Sequence, residues 1–206
     1  MEKSVAIVGM GPGWNQYKTH DCSEVWALNM GGFLLEKFDR WFMTDPIERR
    51  SAVLAGKFAL SKDETIPMSV GIVKERIREI NAPFVSAWAY PDLEQYESYP
   101  LEEVVGQFGI PYFVNTISYM IAYAMLKGYK RIALFGVNQQ SASEYMYHKP
   151  CVEFWIGMAL GQGIQVEVHG NRSEVCQNTN GILYGYRVSY PKAVELLKEG
   201  KLIIKK

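Results

Sequence analysis

The stretch that most limits how this chain can fold lies at residues 4–14. Ser4, Val5, Ala6, Ile7 and Val8 form a short run rich in β-branched and apolar residues, the pattern of a strand buried on both faces. Gly9, Met10, Gly11, Pro12, Gly13 and Trp14 follow at once, with three glycines in five positions. Such a turn bends tightly and leaves backbone N–H groups open. After the first strand of an α/β domain, a ligand phosphate is the usual occupant, because those amides and any following helix start carry partial positive charge. The pattern is G-x-G-x-G, not the full dinucleotide fingerprint G-x-G-x-x-G, and no Gly-Lys-Ser/Thr follows to make a P-loop. A tight connection that binds nothing is the competing reading.

Further strands are expected at residues 25–28, 39–43, 84–88, 131–137 and 164–168. Helices are expected at 47–60, 69–80, 115–127, 147–160, where Pro150 falls in the first turn, and 191–199. In the segment 115–137 a helix with Ile117, Met120, Ile121, Ala124 and Met125 on its buried side is closed by Gly128 and followed by an apolar strand. That is half of a βαβ unit, and it implies a parallel sheet with right-handed crossovers. The expected architecture is one α/β domain over residues 1–206, a Rossmann-like three-layer fold with a mostly parallel sheet of six or seven strands. An apolar content of 48% suffices for its core. Residues 89–110, with Pro91, Pro100 and several carboxylates and tyrosines, read as a lid over the site.

Charge and cysteine usage narrow the function classes. Lys plus Arg and Asp plus Glu both number 22, so the formal charge is zero, unlike the basic excess of an electrostatic nucleic-acid binder. Cys22, Cys151 and Cys176 form no C-x-x-C pair, so neither a disulfide framework nor a zinc knuckle is expected. The expected setting is a reducing cytoplasm. No signal-peptide pattern and no apolar run of about 18 residues points to a membrane. No metal site is expected, because no D-x-D pair or H-E-x-x-H helix is present. A homo-oligomer is left open.

Polar residues recur just after the apolar strands, at the edge where open α/β sheets collect ligands. The candidates are the turn residues Gly9, Gly11, Pro12 and Gly13, then Asn29, then Thr44 and Asp45, then Asn115, Thr116 and Ser118 at a helix start, where Asn115 or Thr116 would cap. A further set runs from Asn138 through Glu144 and Tyr145 to His148. Of the three histidines, His148 is the best placed general base. Tyr90, Tyr96, Tyr99 and Tyr145 are candidate phosphate contacts.

The opening Ile7–Gly13, residues 25–29 and residues 113–137 together resemble two related groups. One is the bacterial family of the Campylobacter-type sialyltransferases. The other contains the motility-associated glycosylation factors and the archaeal hydroxymethylpterin pyrophosphokinase. The whole chain is also similar to short proteins encoded by tailed phages, which would put it in a host cytoplasm. The resemblance implies a Rossmann-like domain with Gly9, Gly11 and Pro12 against a nucleotide, Asn29 as the asparagine ending the second strand, and Thr116 and Ser118 as a hydroxyl-rich helix start. Gly13 departs from the pattern, standing where the family has Ser. The metal-binding acidic residues of the pyrophosphokinase have no clear equivalents.

The expected function is therefore a glycosyltransferase-like protein that binds a nucleotide or nucleotide-sugar, with no further cofactor. His148 would deprotonate the acceptor and tyrosine hydroxyls would steady the leaving phosphate. The alternatives are a nucleotide- or signal-binding protein without turnover, and a magnesium-dependent pyrophosphokinase.

Overall fold

The structure is a computed structural model that describes residues 2–53, 57–59, 65–139, 145–170, 175–176, 182–183 and 188–199. The chain runs β1 (Ser4–Val8), a 3-10 helix (Trp14–Thr19), β2 (Glu24–Leu28), α1 (Gly31–Leu34), β3 (Arg40–Phe42) and α2 (Ile47–Val53). A separate antiparallel pair follows, β4 (Lys57–Ala59) with β5 (Thr65–Pro67), then α3 (Val70–Ile80), β6 (Phe84–Ser86), β7 (Tyr96–Ser98) and α4 (Leu101–Phe108). The remainder is α5 (Thr116–Leu126), β8 (Arg131–Phe135), α6 (Tyr145–Gly161), β9 (Gln165–His169), the pair β10 (Ile182–Leu183) and β11 (Val188–Ser189), and α7 (Tyr190–Lys198).

Seven strands form one sheet in the order β7-β6-β3-β2-β1-β8-β9, and every neighbouring pair in it is parallel. The expected Rossmann-like three-layer α/β fold is what forms. Alternation along β1 explains the layers: Val5 and Ile7 point into a core closed by α4, α5 and α6, whereas Ala6 and Val8 point into a second core closed by α1, α2 and α3. Because both faces are covered, β1 is buried at every position, as a parallel central strand must be. Trp26, Trp41 and Trp155 are fully buried, and burying each large apolar side chain is worth roughly 1.5–3 kcal/mol.

Residues 89–110, expected as a lid, carry β7 and α4. The first is hydrogen-bonded to β6 as an edge strand, and Val104 of the second is fully buried in the core. Of the helix expected at 47–60, α2 covers Ile47–Val53, and Lys57–Ala59 form strand β4 instead. Helix α6 begins two residues before the expected start, so Pro150 falls in its second turn rather than its first. Among the described residues, no helix is long and apolar enough to cross a membrane.

Candidate functional site

Successive strands from β1 through β2, β3 and β6 to β7 move away on one side, and β8 and β9 lie on the other. The order reverses between β1 and β8, and at such a point the loops leave in opposite directions and open a crevice at the carboxyl ends. The glycine turn lies at this point, directly after β1. Its fit against β8 is close: a Cβ on Gly9 would lie 2.6 Å from the Gly136 carbonyl oxygen, and one on Gly11 would lie 2.7 Å from the same oxygen. Gly136 itself has φ of 62°, a left-handed conformation that glycine adopts without steric cost.

The turn's amides are not open as expected. Gly9 N–H donates to Phe135 O at 2.7 Å and Gly11 N–H to Gly136 O at 2.9 Å. These glycines serve close approach of two backbones, and their polar groups extend the β1–β8 pairing. Among the described residues, no backbone hydrogen bond takes the amides of Met10 or Gly13.

Asn138 lies directly over this turn. A Cβ on Gly11 would meet its Oδ1 at 2.8 Å. Asn138 is only 9% exposed, yet among the described residues neither its Oδ1 nor its Nδ2 has a hydrogen-bond partner. The neighbouring Gln139, at φ 46°, also holds a buried Oε1 with no partner among the described residues. Buried carboxamides left unpaired cost on the order of 1–3 kcal/mol each. The sequence marked Asn138 as a candidate but not Gln139, although both follow the same strand end.

A second set of groups is joined by hydrogen bonds across three elements. Asn29 ends β2 with φ of 49°, a conformation asparagine tolerates better than most residues. Its N–H donates to Phe42 O at 2.8 Å, and its carbonyl accepts from Trp41 Nε1 at 2.5 Å. Thr116 donates from Oγ1 to Asn29 Oδ1 at 3.2 Å, and Thr44 Oγ1 lies 2.7 Å from Thr116 Oγ1. One proton arrangement serves both contacts: Thr44 donates to Thr116, which donates to Asn29. The Asn29 amide nitrogen is then left as an oriented donor at the end of β2.

Asn115 caps α5, its Oδ1 accepting from Ser118 N at 2.9 Å, which satisfies one of the free N–H groups of the helix start. Its Nδ2 donates to the His148 carbonyl at 3.1 Å, so the start of α6 is tied to the start of α5 and half-buried His148 comes to the same end of the sheet. Ser118 is fully buried and donates its hydroxyl to Asn115 O at 2.7 Å.

The other candidates are dispersed. Asp45 pairs with Arg50 and, at 3.8 Å, with Arg49 on α2. The Tyr90 hydroxyl accepts from Ile47 N at 2.8 Å and donates to Glu48. Tyr99 donates to Tyr119 O inside the core, where burial pushes its phenol pKa up, and Tyr96 lies on edge strand β7. Glu144 lies outside the described residues, as does the side chain of Tyr145.

One cluster was not foreseen. His20 and His169 each approach Oε2 of Glu167 through Nε2 at 3.0 Å. Burial opposes the charged form of Glu167, but hydrogen bonds from His169 and His20 and the nearby charge of Arg131 outweigh it and hold the carboxyl below its ordinary pKa. The Glu167–His169 spacing on an alternating strand was the available signal, since residues two apart share a face. His20, 147 residues from Glu167, gave none.

No protein-family model and no curated protein matches the chain. Its fold is similar to solved sialyltransferases of Campylobacter jejuni. CstII in complex with the substrate analogue CMP-3FNeuAc matches at 16% identity and a TM-score of 0.51, over 98% of this chain and 100% of that one. CstII in complex with cytidine-5'-monophosphate matches at 16% and 0.50, over 97% and 99%. The monofunctional α-2,3-sialyltransferase Cst-I matches at 14% and 0.53, over 84% and 77%. At these identities the likeness is one of fold.

Proposed function

We propose that the chain is a glycosyltransferase-like enzyme that takes a nucleotide-sugar at the crevice between β1 and β8. The observation that carries this reading is the buried, unpaired carboxamide of Asn138 over Gly11. A donor's polar groups would supply the missing partners at the point where α/β sheets bind nucleotides. The likeness in fold to enzymes solved with cytidine-5'-monophosphate and with CMP-3FNeuAc supports a CMP-sugar as the first donor to test.

In this reading Asn138, the Asn29 amide nitrogen and the amides of Met10 and Gly13 hold the nucleotide part. Gly9, Gly11 and Pro12 shape the wall, and Thr44 and Thr116 fix Asn29. Asn115 and Ser118 position the α5 start and, through the His148 carbonyl, the α6 start. His148 takes the proton from an acceptor hydroxyl, whose oxygen attacks the anomeric carbon. The bond from that carbon to the phosphate oxygen breaks, and the nucleotide leaves with the electron pair. Positioned donors stabilise the charge that develops on the phosphate.

The test is consumption of a CMP-sugar panel by wild type and His148→Ala. Removing a general base is expected to lower kcat by about 10²–10⁴-fold with donor affinity kept. Donor that binds and is never consumed would make the protein a nucleotide binder without turnover.

A further inference from the structure

The His20, Glu167 and His169 cluster is built from residues other than those assigned to the donor. It lies on the face of edge strand β9 on which Gln165, Glu167 and His169 alternate, against the end of the 3-10 helix that follows the glycine turn. His169 stacks on Phe135, with centroids 4.5 Å apart and planes at 6°, and the His20 ring meets both edge-on. The rings are thereby held with both Nε2 atoms aimed at one carboxylate oxygen.

We propose that these three residues bind a divalent transition ion of the zinc type, which clamps the 3-10 helix to β9 beside the glycine turn. The donor atoms of the three residues all lie within 4.8 Å of one another, and two of the separations are 3.0 Å. Bonds of about 2.0–2.2 Å from zinc to imidazole and carboxylate require only a small adjustment from that spacing. Two imidazoles and one carboxylate suit zinc and its neighbours in the series, whereas magnesium prefers an all-oxygen shell.

The surrounding groups fit the same assignment. Glu167 Oε1 is occupied by Gln165 Nε2 at 3.1 Å and approached by Arg131 at 4.0 Å, which leaves Oε2 for the ion. The far nitrogen of His20, Nδ1, has Cys22 Sγ at 3.3 Å and Asp21 Oδ1 at 3.6 Å. Such partners fix the tautomer that presents Nε2 to a metal. The side chains of His20, Glu167 and His169 are 16%, 25% and 32% exposed, so an ion can enter and keep a water as its fourth ligand.

The clamp would act on the turn through the residue after His169. Gly170 Cα lies 3.4 Å from where a Cβ on Gly13 would sit. An ion bridging His20 and His169 therefore braces the turn at Gly13.

The test uses the untagged full chain, stripped with chelator and titrated with Zn²⁺ or Mg²⁺ alone. Calorimetry should give one Zn²⁺ per chain, and the melting temperature should rise with Zn²⁺, fall back with chelator and ignore Mg²⁺. With three histidines in the chain, ring NMR of the wild type identifies the ligands: the His20 and His169 signals should move and that of His148 should not. His169→Ala and Glu167→Gln should weaken Zn²⁺ binding by at least about tenfold, since even changes behind a ligand cost about 10–100-fold. Absence of stoichiometric binding, movement of the His148 ring instead, or undiminished binding in a folded His169→Ala chain would overturn the proposal.

Discussion

The glycine turn and the Asn29–Thr116–Thr44 chain sit at the same edge of the sheet but treat their polar groups in opposite ways. In the turn, the amides of Gly9 and Gly11 are taken up by Phe135 and Gly136. Three elements instead orient a side chain in the second region, leaving the Asn29 amide nitrogen as a donor. A glycine-rich turn is thus first a statement about how closely two backbones approach, and only second about a ligand. In the proposed reading, the recognition groups come from side chains that flank it, Asn138 above all.

That contrast is broken most severely by giving the turn a side chain. Gly11→Ala puts a methyl 2.7 Å from Gly136 O and 2.8 Å from Asn138 Oδ1, an overpacking expected to cost about 3 kcal/mol. For a chain of this size it should lower the melting temperature by about 6–12 °C. Exposed Gly106 on α4 has nothing within 4 Å of the corresponding position. Gly106→Ala should be neutral or stabilising by up to about 1 kcal/mol, and an equal loss at both sites would refute the close-approach account.

The second region is tested by Thr116→Val, which keeps the shape and removes the hydroxyl between Thr44 and Asn29. Denaturant unfolding should show a loss of about 1–2 kcal/mol, and nucleotide affinity should fall because Asn29 is no longer oriented. Unchanged affinity would mean that Asn29 does not contact the ligand.

The smallest effect belongs to the His20, Glu167 and His169 cluster. The folded-state pKa of Glu167 is held below its ordinary value. The stability it contributes is therefore present above the unfolded carboxyl pKa, about 4.3, and is lost as pH falls through the lower folded value. In metal-free protein, the gap in melting temperature between wild type and Glu167→Gln should narrow on acidification below about pH 4. The gap corresponds to at most about 1 kcal/mol after solvent screening. A gap that widens in acid would contradict the sign.

Much of the fold was legible because its strands announce themselves. Val5 to Val8 and Ile132 to Phe135 are buried on both sides and read as continuous apolar runs. Strand β7, at Tyr96, Glu97 and Ser98, is an edge with no such run and was read as part of a lid. It is held by pairing with β6 and by the Arg40–Glu97 ion pair, neither of which leaves a local pattern. For the site, Asn29 and Asn138, which follow β2 and β8, and Thr116, which begins α5, were singled out because sheet topology dictates where ligands gather. What each polar group already bonds was not visible: the use of the Gly9 and Gly11 amides depends on β8, more than a hundred residues away. The His20 cluster was hidden for the same reason.

The central claim is that a nucleotide completes the hydrogen bonding of Asn138 at the β1–β8 crevice. Calorimetric titration of cytidine-5'-monophosphate into wild type and Asn138→Ala, with the melting temperature of each, tests it most directly. The account predicts one saturable site per chain, an affinity lowered about tenfold in the variant, and no loss of stability, because the alanine removes an unpaired buried amide. Equal affinity in the two proteins, or no binding by wild type across a nucleotide panel, would contradict it.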